Sequence, residues 1–329
     1  MKIKNGKLYT DRLEINVVHH CNMSCRGCSH LSPILPEHFA TPEEIFRDLS
    51  TLSGYCRPER ISLLGGEPLL HRDLLEVIHA VRRSGISSRI RVVTNGLLLD
   101  RMPERFWSSV DEIHLSLYPW HTFKAKQLAA FKALAKRNSA SLVLRYQDHF
   151  REVYSERRIK GDSLAGRIYS TCRVAREDSC HVLEGGYYYK CPQAALIPLA
   201  NPDCAELADG KDGICIRDAG NLPDRLARYF ASETPLAACH YCLGSVGKRF
   251  APRQESPRPV EPLSGEELVD WDYLEKLERK RGLPFTVLTP SAGRTANTMI
   301  SRLPVSILLS PRFRRILSAL SVFRHKYLD

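Results

Sequence analysis

The sequence contains no apolar run that is long enough to cross a membrane. No stretch of about 18 residues is both apolar and free of charge, which excludes a transmembrane helix. Residues 1–12 are polar and have no apolar core, so we expect no secretory signal peptide and predict a cytoplasmic protein. Internal repeats are also absent. With 43% hydrophobic and 26% charged residues, the composition is that of a globular protein and excludes a disordered or collagen-like chain.

The positive charge is concentrated near the C-terminal end. The formal net charge is +11 over 329 residues, and residues 291–329, with seven basic side chains and one acidic, carry +6 of it. The body lacks a basic patch with interleaved aromatic residues, so we expect no nucleic-acid partner. Residues 306–327 mix apolar residues with arginines and predict a basic amphipathic helix. Such a helix packs on the body, docks an acidic partner or lies on an anionic membrane surface.

The first half of the sequence alternates strand-like and helix-like segments. Short apolar runs predict strands, and the stretches between them space their apolar residues as helices do. The predicted strands are 13–18, 61–64, 90–93, 112–117 and 142–144, and the predicted helices are 41–53, 73–84 and 123–136. The first helix opens with the capping box Thr41-Pro42-Glu43-Glu44. This alternation is typical of parallel βα units, so we predict an α/β fold.

The alternation ends near residue 150, where cysteines begin to recur at irregular spacing. Further along, the sequence predicts a hairpin at 182–190, a helix at 223–230, a linker with four prolines at 251–262 and a helix from Ser264 to about residue 280. We therefore predict three regions: a partial barrel at 1–150, a small cysteine-rich α+β domain at 151–250, and a linker with C-terminal helices at 251–329.

Three of the eleven cysteines lie within eight residues, directly after the first predicted strand. Cys21, Cys25 and Cys28 form a CxxxCxxC run. In a reducing compartment, excess cysteine indicates metal or redox chemistry rather than structural disulfides. Structural zinc usually takes four protein ligands, whereas an iron–sulfur cluster held by three cysteines has one iron open to a small molecule. A zinc or disulfide loop is the alternative interpretation.

This cysteine run resembles the signature of the radical S-adenosylmethionine (radical SAM) superfamily. A second resemblance is Gly65-Gly66-Glu67-Pro68, which begins 37 residues after Cys28 at the end of the second predicted strand and is similar to the superfamily's GGEP motif. The resemblance covers residues 13–150 and implies a partial (βα)6 TIM-like barrel. It also implies two cofactors, a [4Fe–4S] cluster and S-adenosylmethionine (AdoMet).

The same resemblance implies an AdoMet site at the strand ends. The backbone and carboxylate of the GGEP motif would hold the methionyl amino group. Asn95, Ser116 and Arg145, which end the third, fourth and fifth predicted strands, would lie near AdoMet. Ordinary strand-end polar residues are the alternative for Ser116 and Arg145. Relatives usually carry an aromatic residue before the third cysteine, where this chain has Gly27, so another group must pack the adenine.

A second group of cysteines follows in the 151–250 region. A cysteine, a hairpin that ends in a cysteine, a helix and a CxxC pair resemble the twitch module of radical SAM enzymes, which binds an auxiliary [4Fe–4S] cluster. The residues that match are Cys172, Cys191, Cys239 and Cys242, with Cys180 as the alternative to Cys172. No cysteine follows Cys242, so the larger SPASM module with two auxiliary clusters is not expected. A zinc site with the same four ligands is the alternative.

The other cysteines are predicted to be small buried or surface residues. They are Cys56, Cys204 and Cys215. The alternative is that one thiol, Cys180 or Cys204, returns a hydrogen atom to a substrate radical, as an epimerase requires.

The expected function is that of a radical SAM oxidoreductase or epimerase-type enzyme in a biosynthetic pathway. The resemblance implies reductive cleavage of AdoMet to a 5′-deoxyadenosyl radical and hydrogen abstraction from a small polar substrate, of the sugar, aminocyclitol or nucleotide-sugar type, for dehydrogenation, epimerisation or dehydration. The cysteine arrangement is most similar to that of aminocyclitol dehydrogenases. The expected electron donor is a flavodoxin or ferredoxin. The alternatives are a maturase of a ribosomally made peptide and a non-catalytic zinc or iron–sulfur protein.

Overall fold

The chain folds around one central sheet of eight strands, six of them parallel. A computed structural model describes residues 2–4, 7–178, 180–202, 204–207, 210–218, 220–255 and 264–281. The strands are β1 (Lys2–Lys4), β2 (Lys7–Thr10), β3 (Leu13–Val18), β4 (Cys56–Pro58), β5 (Ile61–Gly65), β6 (Ile90–Thr94), β7 (Glu112–Leu117), β8 (Ser141–Tyr146), β9 (Phe150–Arg151), β10 (Val182–Glu184), β11 (Tyr187–Tyr189), β12 (Gly213–Cys215) and β13 (Arg249–Phe250).

Helices connect most of these strands. They are α1 (Pro42–Ser53), α2 (Leu74–Ser84), α3 (Glu104–Ser109), α4 (Ala125–Arg137), α5 (Asp162–Thr171), α6 (Arg173–Arg176), α7 (Pro192–Ala200), α8 (Leu222–Ala231), α9 (Gly265–Leu268) and α10 (Trp271–Arg281). Short 3-10 helices cover Pro68–Leu70, Leu99–Arg101, Ala205–Leu207 and Ala237–Tyr241. No helix in these described ranges is long and apolar enough to span a bilayer.

The central sheet has the strand order β12-β11-β10-β3-β5-β6-β7-β8. Every pairing from β10 to β8 is parallel, and β11 and β12 add an antiparallel edge. The α/β prediction with a parallel βα series is therefore confirmed. The hairpin β10–β11 pairs with β3, because Val182 lies opposite Glu14. The sheet thus crosses the predicted boundary at residue 150, and the division into three regions stays a prediction.

The core lies between the outer face of the sheet and the helices. Buried side chains of β3, β5, β6 and β7 pack against those of α1 and α2, and the stacked rings of Trp107 and Phe131, 6.0 Å apart, close the β7 side. The capping box at Thr41 is present and begins α1 as predicted. The opposite sheet face is polar, since Glu14, Ser62 and His114 are buried there without joining the apolar core. This polar face is the inner face of the partial barrel.

Some predicted elements differ from the structure or lie outside it. The helix predicted from Ser264 is two helices, α9 and α10, because Asp270 begins a new helix by accepting a hydrogen bond from the Tyr273 amide at 3.1 Å. Helix α7 was not predicted because six of its nine residues are buried and leave no amphipathic stripe. The predicted amphipathic helix at 306–327 and most of the predicted linker lie outside the described residues.

Candidate functional site at the carboxyl ends of the strands

The CxxxCxxC loop follows β3 at the edge where all the parallel strands end. Burial raises the pKa of Cys21 to about 11 and that of Cys25 to about 12, and the neighbouring thiol of Cys28 raises both further. Three thiolates this close repel one another, so their deprotonated form is favoured only when a cationic group binds between them. The three predicted ligands therefore lie together and fit a metal cluster.

A distant segment of the chain holds this loop in place. Cys25 forms a backbone bridge with Gln254, and the Arg26 amide donates to the Arg253 carbonyl at 3.1 Å. The Arg26 guanidinium also donates to Glu152 at 2.9 Å. Residues 249–255, which we call the covering segment, thus lie across the loop together with the residues that follow β9.

The two glycines of the GGEP motif allow the end of β5 to pass close to the end of β3. Gly65 has a φ of +119°, and a Cβ there would lie 2.1 Å from the Val18 carbonyl oxygen. A Cβ on Gly66 would lie 1.8 Å from the His20 carbonyl oxygen. Only glycine fits so close an approach of two backbones. Pro68 then begins the 3-10 turn that follows Glu67.

The Glu67 carboxylate is completely buried and accepts hydrogen bonds from the chain itself. Its donors are the Leu69 amide at 3.0 Å, the Thr94 hydroxyl at 2.6 Å and the Asn95 amide at 2.7 Å. Burial raises the pKa of Glu67 to about 7, and these hydrogen bonds oppose that rise. The carboxylate therefore ties the end of β5 to the end of β6. Its predicted contact with the methionyl amino group stays a prediction.

Asn95 links this tie to the cysteine loop. Its side-chain amide donates to Asn22 Oδ1 at 2.7 Å and approaches Cys21 Sγ at 3.7 Å. Ser116 and Arg145 lie directly opposite one another on the paired strands β7 and β8, so their side chains share one face of the sheet. The predicted residues of β5 to β8 thus reach the same edge.

Aromatic side chains that the sequence analysis missed lie beside the cysteine loop. Gly27 has a φ of +63°, and a Cβ there would lie 2.7 Å from the ring of Phe250 in the covering segment. Phe250 contacts Phe150 edge-on at 6.5 Å, and Tyr118 stacks on Trp120 at 4.9 Å. Phe150 contacts both of these rings, which completes the group.

This aromatic group occupies the space that Gly27 leaves free. Burial raises the pKa of Tyr118, and the adjacent thiols of Cys25 and Cys28 raise it further, which places the group next to the cluster loop. No local sequence pattern reveals it, because β9 and β13 pair across about 100 residues of chain.

The structure also brings together the four cysteines of the second group. Burial raises the pKa of Cys191, and the nearby thiols of Cys172, Cys242 and Cys239 raise it further. The Gly244 amide donates to Cys242 Sγ at 3.2 Å. Four buried thiols in one place fit either an iron–sulfur cluster or a zinc ion.

Cys180 lies elsewhere. Arg12 donates to its Sγ at 2.9 Å near the start of β3, at the opposite end of that strand from the CxxxCxxC loop. Of the four thiols considered as hydrogen-atom donors, only Cys204 lies within the apolar cluster that contains Cys191 and Cys242, where its Sγ is 3.1 Å from the Tyr241 hydroxyl. The other two are Cys56, buried in the main core, and Cys215, on strand β12.

A buried lysine lies beside the four-cysteine group, and the sequence analysis missed it. Lys190 precedes Cys191, is 3% exposed, and donates to the Tyr169 hydroxyl at 3.0 Å and the Ser232 carbonyl at 2.8 Å. Burial lowers the pKa of Lys190, and the thiols of Cys239 and Cys191 raise it. A cation at this place stabilises negative charge on the thiolates and on any group that they bind.

Comparison with protein families identifies the first part of the chain. The family model of the radical SAM superfamily matches residues 15–128. This segment is a radical SAM domain. The family resemblance seen in the CxxxCxxC and GGEP motifs is thereby confirmed, and radical SAM domains bind a [4Fe–4S] cluster and AdoMet.

The curated relatives share this domain and little more. GTP 3′,8-cyclase of Microcystis aeruginosa is 30% identical over 112 residues, which are 32% of this chain and 34% of the relative. GTP 3′,8-cyclase of Rhodopirellula baltica is 35% identical over 92 residues, which are 27% of this chain and 26% of the relative. The chain therefore spans about a quarter to a third of these relatives' length.

Solved structures that resemble the chain cover more of it at lower identity. BtrN in complex with AdoMet and 2-DOIA is 16% identical with a TM-score of 0.44, over 78% of this chain and 100% of that chain. The anaerobic protein anSMEcpe with bound AdoMet is 11% identical with a TM-score of 0.44, over 83% of this chain and 96% of that chain.

We expect Gly27→Ala to destabilise the protein more than Gly185→Ala. Both glycines have positive φ, which costs an alanine about 1–2 kcal/mol. A Cβ at Gly27 would also lie 2.6 Å from the Arg151 carbonyl oxygen, whereas Gly185 has no neighbour within 4 Å. Thermal unfolding of both variants measures the difference. Equal losses would show that Phe250 and β9 do not pack against the loop.

Proposed function

We propose that this protein is a radical SAM enzyme that removes a hydrogen atom from a small polar substrate. The observation that carries the proposal is the convergence of the motifs. The three-cysteine loop is joined through Asn95 to the strand end that Glu67 anchors, so a cluster and AdoMet would bind side by side. A non-catalytic metal protein has no need for the buried Glu67 tie next to the cysteines.

The residues at this edge divide the work of holding the cofactors. When bound and reduced, the cluster and AdoMet supply a 5′-deoxyadenosyl radical that takes hydrogen from unactivated carbon. Cys21, Cys25 and Cys28 hold the cluster, and the Gly65–Gly66 turn presents backbone groups to AdoMet. Tyr118 and Phe250, with their aromatic neighbours, pack the adenine in place of the aromatic residue missing at Gly27 and exclude water from that side.

We further propose that the four-cysteine group holds a second [4Fe–4S] cluster, in a twitch-like module. Its thiols are buried, and buried Lys190 beside them offsets the negative charge of a thiolate-ligated cluster. The separation of Cys180 from the group favours Cys172 as the fourth ligand. Zinc is the competing occupant, since four thiolates suit it equally.

The polar inner face of the barrel favours a polar substrate. Arg91 forms an ion pair with Glu112 at 2.8 Å, and His114 also contacts Glu112, all on this face. Together with Arg145 nearer the strand ends, these groups offer donors and acceptors to hydroxyls and amines. A sugar or aminocyclitol is the substrate we favour, with dehydrogenation at a carbinol carbon.

Two other substrates remain candidates. The relatives named GTP 3′,8-cyclase make a guanine nucleotide the second candidate, because they share the radical SAM domain. A ribosomally made peptide is the third. Assays with each class under the same conditions separate them, since only the true substrate is converted and accelerates formation of 5′-deoxyadenosine. The electron donor we propose is a flavodoxin or ferredoxin.

The metal content tests the two-cluster model. After anaerobic reconstitution we expect about eight iron and about eight sulfide per chain, because each group of cysteines binds one [4Fe–4S] cluster. Replacing Cys21, Cys25 and Cys28 by Ala leaves about half, and so does Cys191→Ala with Cys239→Ala. Cys215→Ala is the control and keeps full iron. Zinc in place of the second half of the iron would contradict the auxiliary cluster.

Glu67 is expected to support AdoMet binding. Glu67→Gln turns one acceptor oxygen into a donor that faces the amides and hydroxyl now bonded to the carboxylate. A lost hydrogen bond to a charged group costs about 1.5–3 kcal/mol, or roughly tenfold to a hundredfold in affinity. Equilibrium dialysis with AdoMet and the yield of 5′-deoxyadenosine measure the effect. Exposed Glu59→Gln is the control, and an unchanged dissociation constant for Glu67→Gln removes Glu67 from the AdoMet site.

Solvent deuterium distinguishes dehydrogenation from epimerisation once a substrate is converted. For a dehydrogenation we expect Cys204→Ser to keep turnover and the product to carry no deuterium from heavy water at an inverted carbon. An epimerase needs a thiol that returns a hydrogen atom, and Cys204 is the candidate nearest the four-cysteine group. Cys180→Ser, at the other end of β3, is the matched control. Deuterium at an inverted carbon, lost in Cys204→Ser, would identify an epimerase.

A further inference from the structure

Two histidines and one glutamate come together outside both cysteine groups. They are His19, directly after β3, His38, in the extended segment before α1, and Glu184, at the end of β10. His19 Nε2 lies 3.0 Å from Glu184 Oε1, and the two imidazole rings are 4.6 Å apart. One ligand atom from each of the three residues lies within 4.8 Å of the other two. The function proposed above assigns none of these residues a role.

The backbone fixes this arrangement without any help from a ligand. The His19 amide donates to the His38 carbonyl at 3.2 Å, and the Ala40 amide donates to Val17 at 3.0 Å, so the segment before α1 runs along the end of β3. Parallel pairing of β10 with β3 brings Glu184 to the same place. The three side chains therefore start from rigid elements, which reduces the entropy that a bound ion would have to overcome.

The side chains themselves show incomplete bonding. His19 is 5% exposed, and its Nδ1 has no hydrogen-bond partner among the described residues. A buried ring nitrogen without a partner is costly, and a cation bound to the imidazole would supply one. Asn16 donates to the second carboxylate oxygen of Glu184 at 3.0 Å. Such an outer hydrogen bond is how metal-ligating carboxylates are usually oriented.

We propose that His19, His38 and Glu184 bind one divalent cation of the zinc type. Two imidazoles with one carboxylate form a ligand set that zinc takes in proteins, with a fourth position open to water or to an oxygen of a small molecule. His38 is exposed, so an ion reaches the site from solvent. The site is separate from both cysteine groups, because it offers nitrogen and oxygen ligands and no sulfur.

The test uses the full chain with its cysteine groups first loaded with iron and sulfide. One equivalent of Zn²⁺ is added anaerobically, unbound metal is removed, and zinc is counted by mass spectrometry. Zinc K-edge absorption then reports the ligands, since nitrogen and oxygen bind at about 2.0–2.1 Å and sulfur at about 2.3 Å. The variants are His38→Ala, Glu184→Gln and Asn16→Ala. The control is His79→Ala, which removes an exposed histidine on α2.

We expect about one zinc per chain with nitrogen and oxygen ligands alone. Asn16→Ala weakens zinc binding by about tenfold to a hundredfold, as loss of an outer-shell partner does, and His38→Ala and Glu184→Gln weaken it further. His79→Ala binds as the unchanged chain does, and all four variants keep their iron. Absence of retained zinc, zinc with sulfur ligands, or unchanged binding by His38→Ala would each overturn the proposal.

Discussion

The parallel pairing of β3 with β5 on one side and with β10 on the other determines where every candidate site lies. Because parallel strands end at the same edge of a sheet, this pairing brings the CxxxCxxC loop, the GGEP turn and Glu184 to one rim. The second half of the chain is built onto this strand through only two paired positions of β10. The placement of the four-cysteine group relative to the first loop follows from that short contact.

Electrostatic repulsion is the second constraint on the rim. Each group of cysteines gathers thiols whose ionisation the others oppose, and burial adds to the cost. The chain meets this with cations held nearby, of which buried Lys190 is the clearest, and with a polar inner face that carries Arg91 and Arg145. Such a site is stable as a dense group of thiols and becomes strongly negative only when a cluster or ion offsets the charge.

Local patterns were enough to predict the elements of the first half. Leu13–Val18 and Glu112–Leu117 have the predicted bounds, since their apolar residues and flanking turns are contained within single segments. The ligand residues could be proposed because three cysteines in eight residues are informative by themselves.

Long-range pairing could not be predicted in the same way. Phe250 reaches Gly27 only through the pairing of β13 with β9, and Cys180 is held at the far end of β3 by Arg12. Both contacts join residues more than 150 positions apart or depend on strands of two residues, which carry no periodic signal. The break between α9 and α10 depends on one capping carboxylate, Asp270, which hydrophobic spacing does not register.

The covering segment has a consequence for the order in which the protein is made. The loop that carries Cys25 is held by backbone contacts to Gln254 and Arg253, which are synthesised more than 200 residues later. At about 5–20 residues per second, the ribosome needs roughly 10–50 s to reach them. During that interval the cysteine loop has left the ribosome without its cover, accessible to the machinery that delivers iron and sulfide and equally to oxidants. Translation speed thus sets the time available for loading the cluster before the segment closes over it.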